Sequence, residues 1–167
     1  MGESTNESIY NAAGEAVPAL NHFWWLAILA TVLNAGIWWI RGRSARAANP
    51  ELTSGYVRLI LGFSFWANIP WVVMGIGVHF GGAESMNELF DPLAGGPFVV
   101  AWHLSVISTW CAGTYWLFLQ NGAEKLAEHP GLLRMQCNDP GYIKGIWIVS
   151  VLGGIVALAS LLLGHNR

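Results

Sequence analysis

Four long apolar stretches, at about 22–40, 56–80, 97–120 and 142–164, alternate with short polar connections and hold almost no charge themselves. Each is near the ~20 residues that a helix needs to cross the hydrocarbon of a bilayer. The pattern predicts an all-α integral membrane protein, a four-helix transmembrane bundle in which residues 1–167 form one four-span membrane domain behind a polar tail at 1–21. What remains between the spans is too short for a separate soluble domain.

The connections carry their own signals. The one from Gly81 to Gly96 is rich in Gly, Pro and Asp, and Pro97 suits the first turn of the helix that follows, where a missing N–H is not needed. The segment Asn121 to Gly131 reads as a short surface helix along the interface, ended by Pro130-Gly131, with a further turn at Asp139-Pro140-Gly141. His129, just before Pro130, is expected to be exposed.

Charge then orients the spans. Seven of the eight basic residues, Arg41, Arg43, Arg46, Arg58, Lys125, Arg134 and Lys144, fall in or beside the first and third connections. The positive-inside rule places these in the cytoplasm and both termini on the non-cytoplasmic side, together with Glu84, Glu88 and Asp91. Trp24-Trp25 and Trp38-Trp39 bracket the first span ~21 Å apart, as interfacial anchors do. The setting is that of a multi-pass protein of a bacterial inner membrane.

Composition agrees with this. Hydrophobic residues make up 54% and charged ones 11%, with a mean hydropathy of +0.44, whereas charged residues are about a quarter of a soluble domain. Nucleic acid is not an expected partner. Cys111 and Cys137 should lie at different depths and not pair. The tail, with Glu3, Glu7 and Glu15 and no basic residue, lacks the positive start of a secretory signal, so the first span is expected to be retained.

Packing in lipid relies on small residues that let backbones approach. Ala101, Ser105, Ser108 and Ala112 form one such row, and Gly153, Ala157, Ser160 and Gly164 another. These faces are expected to pack against neighbours, whether other helices or each other, since the two helices are sequential.

Two places carry candidate chemistry. Near the membrane middle, Asn68 and Asn34 each need a partner, because an unsatisfied polar group in hydrocarbon costs several kcal/mol. Pro70 leaves the carbonyl of Trp66 without its helical donor. With Ser108 and Thr109 at that level, Trp66, Trp71 and Trp110 would frame a polar pocket for a ligand head group; otherwise these groups bond across helices, each worth about 1 kcal/mol. No Asp, Glu or Lys lies near, which disfavours proton coupling.

Nearer the outside, His22, His79, His103 and His165 come one from each helix, and imidazole binds haem iron and other metals. At 1.5 Å per residue His103 lies ~8 Å from the midplane, His22 ~13 Å, His79 ~16 Å and His165 ~18 Å. Only His103 with His22 could serve one haem.

Three functions fit these residues. The leading expectation is a non-enzymatic small subunit, scaffold or hydrophobic-ligand-binding bundle, whose 10 tryptophans serve the lipid bilayer, other membrane subunits, a quinone or a pigment. The second is a haem b electron-transfer protein with His103 as a ligand. The third is a small transporter using Asn34, Asn68 and the Pro70 kink. No phosphate loop, Cys-x-x-Cys or nucleophile-and-base set is present, so soluble-type catalysis is not indicated.

Overall fold

The computed structural model describes residues 23–80, 86–133 and 139–164, and among these every regular element is helical. The order is α1 (Phe23–Arg41), α2 (Arg43–Ala48), a 3-10 turn at Pro50–Leu52, α3 (Thr53–His79), α4 (Met86–Phe90), α5 (Pro97–Leu119), α6 (Gly122–Ala127) and α7 (Pro140–Gly164). Three segments are long and apolar enough to cross a membrane: Phe23–Arg41, Pro50–His79 and Pro140–Ser160. The 23 residues of α5 form an equally long helix but include Ser105, Ser108, Thr109 and Thr114, which lower its hydropathy.

Local sequence sets the breaks. Proline stands in the first turn of both the Pro50 turn and α5, where its fixed φ fits and no donor is lost. After α5, Asn121 takes the left-handed conformation (φ 54°), which turns the chain straight into α6. Gly122 then lies flat on Trp116; a methyl there would stand 2.6 Å from the indole.

The long helices pack in chain order, α1 along α3 and α3 along α5, with α7 meeting α5 at fewer points. Each junction has an aromatic ring seated on a glycine. Trp24 of α1 covers Gly75 of α3, Phe98 of α5 covers Gly77, Trp147 of α7 covers Gly113 of α5, and Trp110 of α5 covers Gly154 of α7. Trp38 meets Phe63 at 4.4 Å between centroids, and Trp147 donates from Nε1 to Thr114 Oγ1 at 2.9 Å.

The expected pairing of two small-residue rows is therefore corrected. Gly153, Ala157 and Ser160 are exposed, with no atom near Gly153, whereas Ile143, Trp147, Val151, Gly154 and Leu158 face the protein. Ala101 and Ser108 are exposed as well. One position along a helix is about 100° of rotation, and the tryptophans decide which glycine faces inward.

Full burial is concentrated at the two ends. On α3 the buried residues are Tyr56 and Ile60, then Met74, Gly75 and Gly77, with none between. At the end where the basic connections lie, here the basic end, Tyr56, Ile60 and Leu132 form one cluster and Leu117, Ala123 and Ile143 another. At the opposite end Met74, Leu89 and Val99 are buried among Trp24, Trp71, Phe90, Phe98 and Trp102.

The basic end is a clasp between two connections. Tyr56 donates its hydroxyl to the carbonyl of Pro130, and its ring meets His129 edge to face at 4.9 Å. His129 Nδ1 bonds the carbonyl of Lys125 at 2.6 Å, and the imidazole fills the notch over Gly55. Gly131 (φ 92°) brings its backbone against Arg41, whose Nη2 donates to the carbonyl of Leu133 at 2.7 Å. The expected exposure of His129 is thus overturned: it is 7% exposed, because the Pro130-Gly131 turn folds it back under α3.

A methyl group at Gly55 would overlap the His129 ring. We expect Gly55→Ala to lower thermal stability in micelles by about 1–3 kcal/mol. Combined with His129→Ala it should cause no further loss, because the smaller side chain clears the space. Melting curves of the three variants check both statements.

Candidate functional site

The middle of the molecule contains the asparagines, and their bonding is local. Asn68 donates from Nδ2 to the carbonyl of Ser64 at 2.7 Å, one turn back on its own helix, while its Oδ1 is buried without a partner. The Asn34 side chain is half-buried and makes no hydrogen bond among the described residues. Thr109 bonds the carbonyl of Ser105 at 2.8 Å, Ser105 that of Trp102 at 2.7 Å and Thr114 that of Trp110 at 2.8 Å. These hydroxyls each donate within their own helix, and of the three only Thr114 also has a cross-helix partner among the described residues, accepting from Trp147 Nε1.

The aromatic residues of that set have different neighbours. Trp66, four residues before Pro70, is half exposed, and Ser108 is exposed. Trp71 meets Phe23 edge to face at 5.9 Å and belongs to the layer opposite the basic end. Trp110 is turned to Gly154 of α7. Of the eight residues, then, Asn68 and Pro70 share the sparsely buried middle of α3, and the tryptophans point elsewhere.

His22 and His165 lie outside the described residues. His79 ends α3, exposed, with its ring against Phe80 at 5.6 Å. Gly77 faces Phe98, and in antiparallel helices this sets His79 about seven residues, or ~10 Å, beyond the level of His103. The two are not at one depth. Among the described residues no three of His, Cys, Asp and Glu come together to hold a metal.

His103 is the informative one. Its Nδ1 lies 2.9 Å from the carbonyl of Val99, an acceptor only, so Nδ1 donates there and, in the neutral imidazole, Nε2 presents a lone pair. That Nε2 is buried and unpartnered. The neighbouring Trp102, edge to face with it at 4.8 Å, has its indole Nε1–H buried and unpartnered too. A buried polar group without a partner costs about 1–3 kcal/mol. Here a donor and an acceptor belong to adjacent residues, and Trp102 packs against the cluster of Met74, Leu89 of α4 and Val99. Reading the residue types alone picked out His103 but missed Trp102, though their adjacency was the available signal.

The basic end offers a different chemistry. Lys144 pairs with Glu124 at 2.7 Å, and Lys125 donates to the carbonyl of Gln120 at 2.9 Å. Glu124 is held below the ordinary carboxylate range by the hydrogen bond from Lys144 and by its own backbone N–H. Arg46 stacks on Trp39 with 3.5 Å from guanidinium carbon to ring centroid.

Fold and surface define an all-helical protein with three helices apolar and long enough for a bilayer. No family model, characterised protein or solved structure matches the chain, so its function is argued from these groups.

Because the Glu124 carboxyl is depressed in the folded state, the tie to Lys144 is complete above the ordinary carboxylate range and is lost as pH falls through the folded value. Melting curves taken across acid pH should show Glu124→Gln losing less stability on acidification than the unaltered protein. Equal acid sensitivity would count against the tie.

Proposed function

We propose that this chain is a four-span, non-enzymatic membrane module that binds an apolar ligand carrying a polar oxygen, of the quinone or pigment kind, beside Trp102 and His103. The observation that carries this reading is that Nε1–H of Trp102 and Nε2 of the adjacent His103 are both buried without a partner among the described residues, with Trp102 packed in an aromatic layer. The hydroxyl of a quinol, the reduced form of a quinone, would accept from the indole and donate to the imidazole. Pockets for such ligands are mostly apolar with a few placed polar groups.

Membrane crossing by α5 is part of the proposal. Its 23 residues span ~34 Å, and its Ser105, Thr109 and Thr114 hydroxyls and His103 Nδ1 are bonded to its own carbonyls, which lowers the penalty of burying them in lipid. With four crossings, the basic end faces the cytoplasm of a bacterial inner membrane and both termini face away from it.

A second reading has its own support. A Nδ1–H held by a backbone carbonyl, with Nε2 free, is how a metal-ligating histidine is oriented, which favours His103 as an axial ligand of haem b.

The two readings separate experimentally. A short-chain quinol should raise the melting temperature of the purified protein, a hydrocarbon of the same shape without oxygens should not, and Trp102→Phe should weaken the quinol effect about tenfold. Equal responses to both compounds would sink the oxygen-binding reading. For haem, purified protein would be red, with a Soret band lost in His103→Ala; colourless, iron-free material would remove that alternative.

A further inference from the structure

Arg46 is fixed by packing rather than by an opposite charge. Its guanidinium carbon lies 3.5 Å over the Trp39 ring and 5.2 Å from the Tyr56 ring, and Nη1 is buried against Gly42 with no hydrogen-bond partner. The Lys144–Glu124 pair is the one ion pair among the described residues, so no carboxylate there neutralises Arg46. Of the other cations of this end, Arg41, Lys125 and Lys144 are each engaged by a carbonyl or a carboxylate. Arg43, exposed, stands three residues before Arg46 on α2 and hence on the same helix face.

Stacking on Trp39 occupies the face of the guanidinium and burial takes Nη1, which leaves the Nε–Nη2 edge for acceptors in the plane, a fork that matches two oxygens of a phosphate. Two like charges one helical turn apart repel unless an anion lies between them. Trp39 stands in the last turn of an apolar helix, the interfacial level at which tryptophans collect and lipid phosphates lie. We infer that Arg46, with Arg43 beside it, forms a binding site for a phosphate ester at the basic end. This site is independent of the ligand proposed beside Trp102 and His103.

Native mass spectrometry of the full-length protein, in micelles supplied with phosphatidylcholine and phosphatidylglycerol, reads retained lipid directly. A second arm adds inorganic phosphate to delipidated protein and follows the melting temperature against chloride at equal ionic strength. The unaltered protein should retain phosphatidylglycerol selectively or be stabilised by phosphate. Arg46→Lys, which keeps the charge but loses the fork and the stack, should weaken the response about tenfold. Arg43→Gln, which leaves the stack intact, should also weaken it, and carries the test if Arg46→Lys does not fold. Lys125→Gln should not change it, because that ammonium is engaged by Gln120. A response in the lipid arm alone assigns a lipid headgroup, and a response to phosphate assigns a soluble phosphate ligand. No response in either arm overturns the inference, as does Arg46→Lys or Arg43→Gln binding like the unaltered protein, or Lys125→Gln losing as much as they do.

Discussion

Helices surrounded by lipid gain little from hiding apolar surface against one another, so their association depends on how closely two backbones can come and how well the gap is filled. In this protein the gap is filled by a ring resting on a glycine. Gly75 under Trp24, Gly77 under Phe98, Gly113 under Trp147 and Gly154 under Trp110 repeat the device at each junction of long helices, and Gly55 under His129 repeats it at the basic end. A large flat side chain makes many dispersion contacts at once, and a missing Cβ lets it lie against the backbone. The high tryptophan content thus has a structural use beyond the interfacial belts.

This arrangement explains where the molecule is tight and where it is not. Rings and glycines meet mainly near the helix ends, so Tyr56 and Met74 are fully buried while the stretch of α3 between Ile60 and Met74 is not. Polar side chains in the less buried part turn to their own backbone, as Asn68 does to Ser64 and Thr109 to Ser105. Exceptions stand out against that habit. Among the described residues Trp102 Nε1, His103 Nε2 and Arg46 Nη1, like Asn68 Oδ1 and Glu124 Oε2, are buried without such a partner.

The existence of long apolar helices was plain from hydropathy, because an uncharged stretch of that length has few other stable forms. Helix facing was not. Gly153 and Gly154 are adjacent, equally small and equally apolar, and only the position of Trp110 on another helix distinguishes them. His129 was misjudged for a related reason: its burial depends on Gly55, far away in the chain, and a polar residue before Pro-Gly reads as surface. Among candidate site residues, His103 could be picked out by type, whereas Trp102 and Arg46 matter through what fails to contact them. Residue type carries no information about an absent neighbour.

The clasp at the basic end also has a temporal side. Tyr56 and Pro130 are 74 residues apart, and Arg41 and Leu133 are 92 apart. A chain made from its N-terminus can pair α1 with α3 early, but the notch over Gly55 stays unfilled until His129 has been synthesised and α5 has been laid down beside α3. Contacts of such separation form late, because the intervening chain must be ordered first. Closure of the clasp therefore marks completion: it happens only once α5 has carried residues 129–133 back beside the turn that joins α1 to α3.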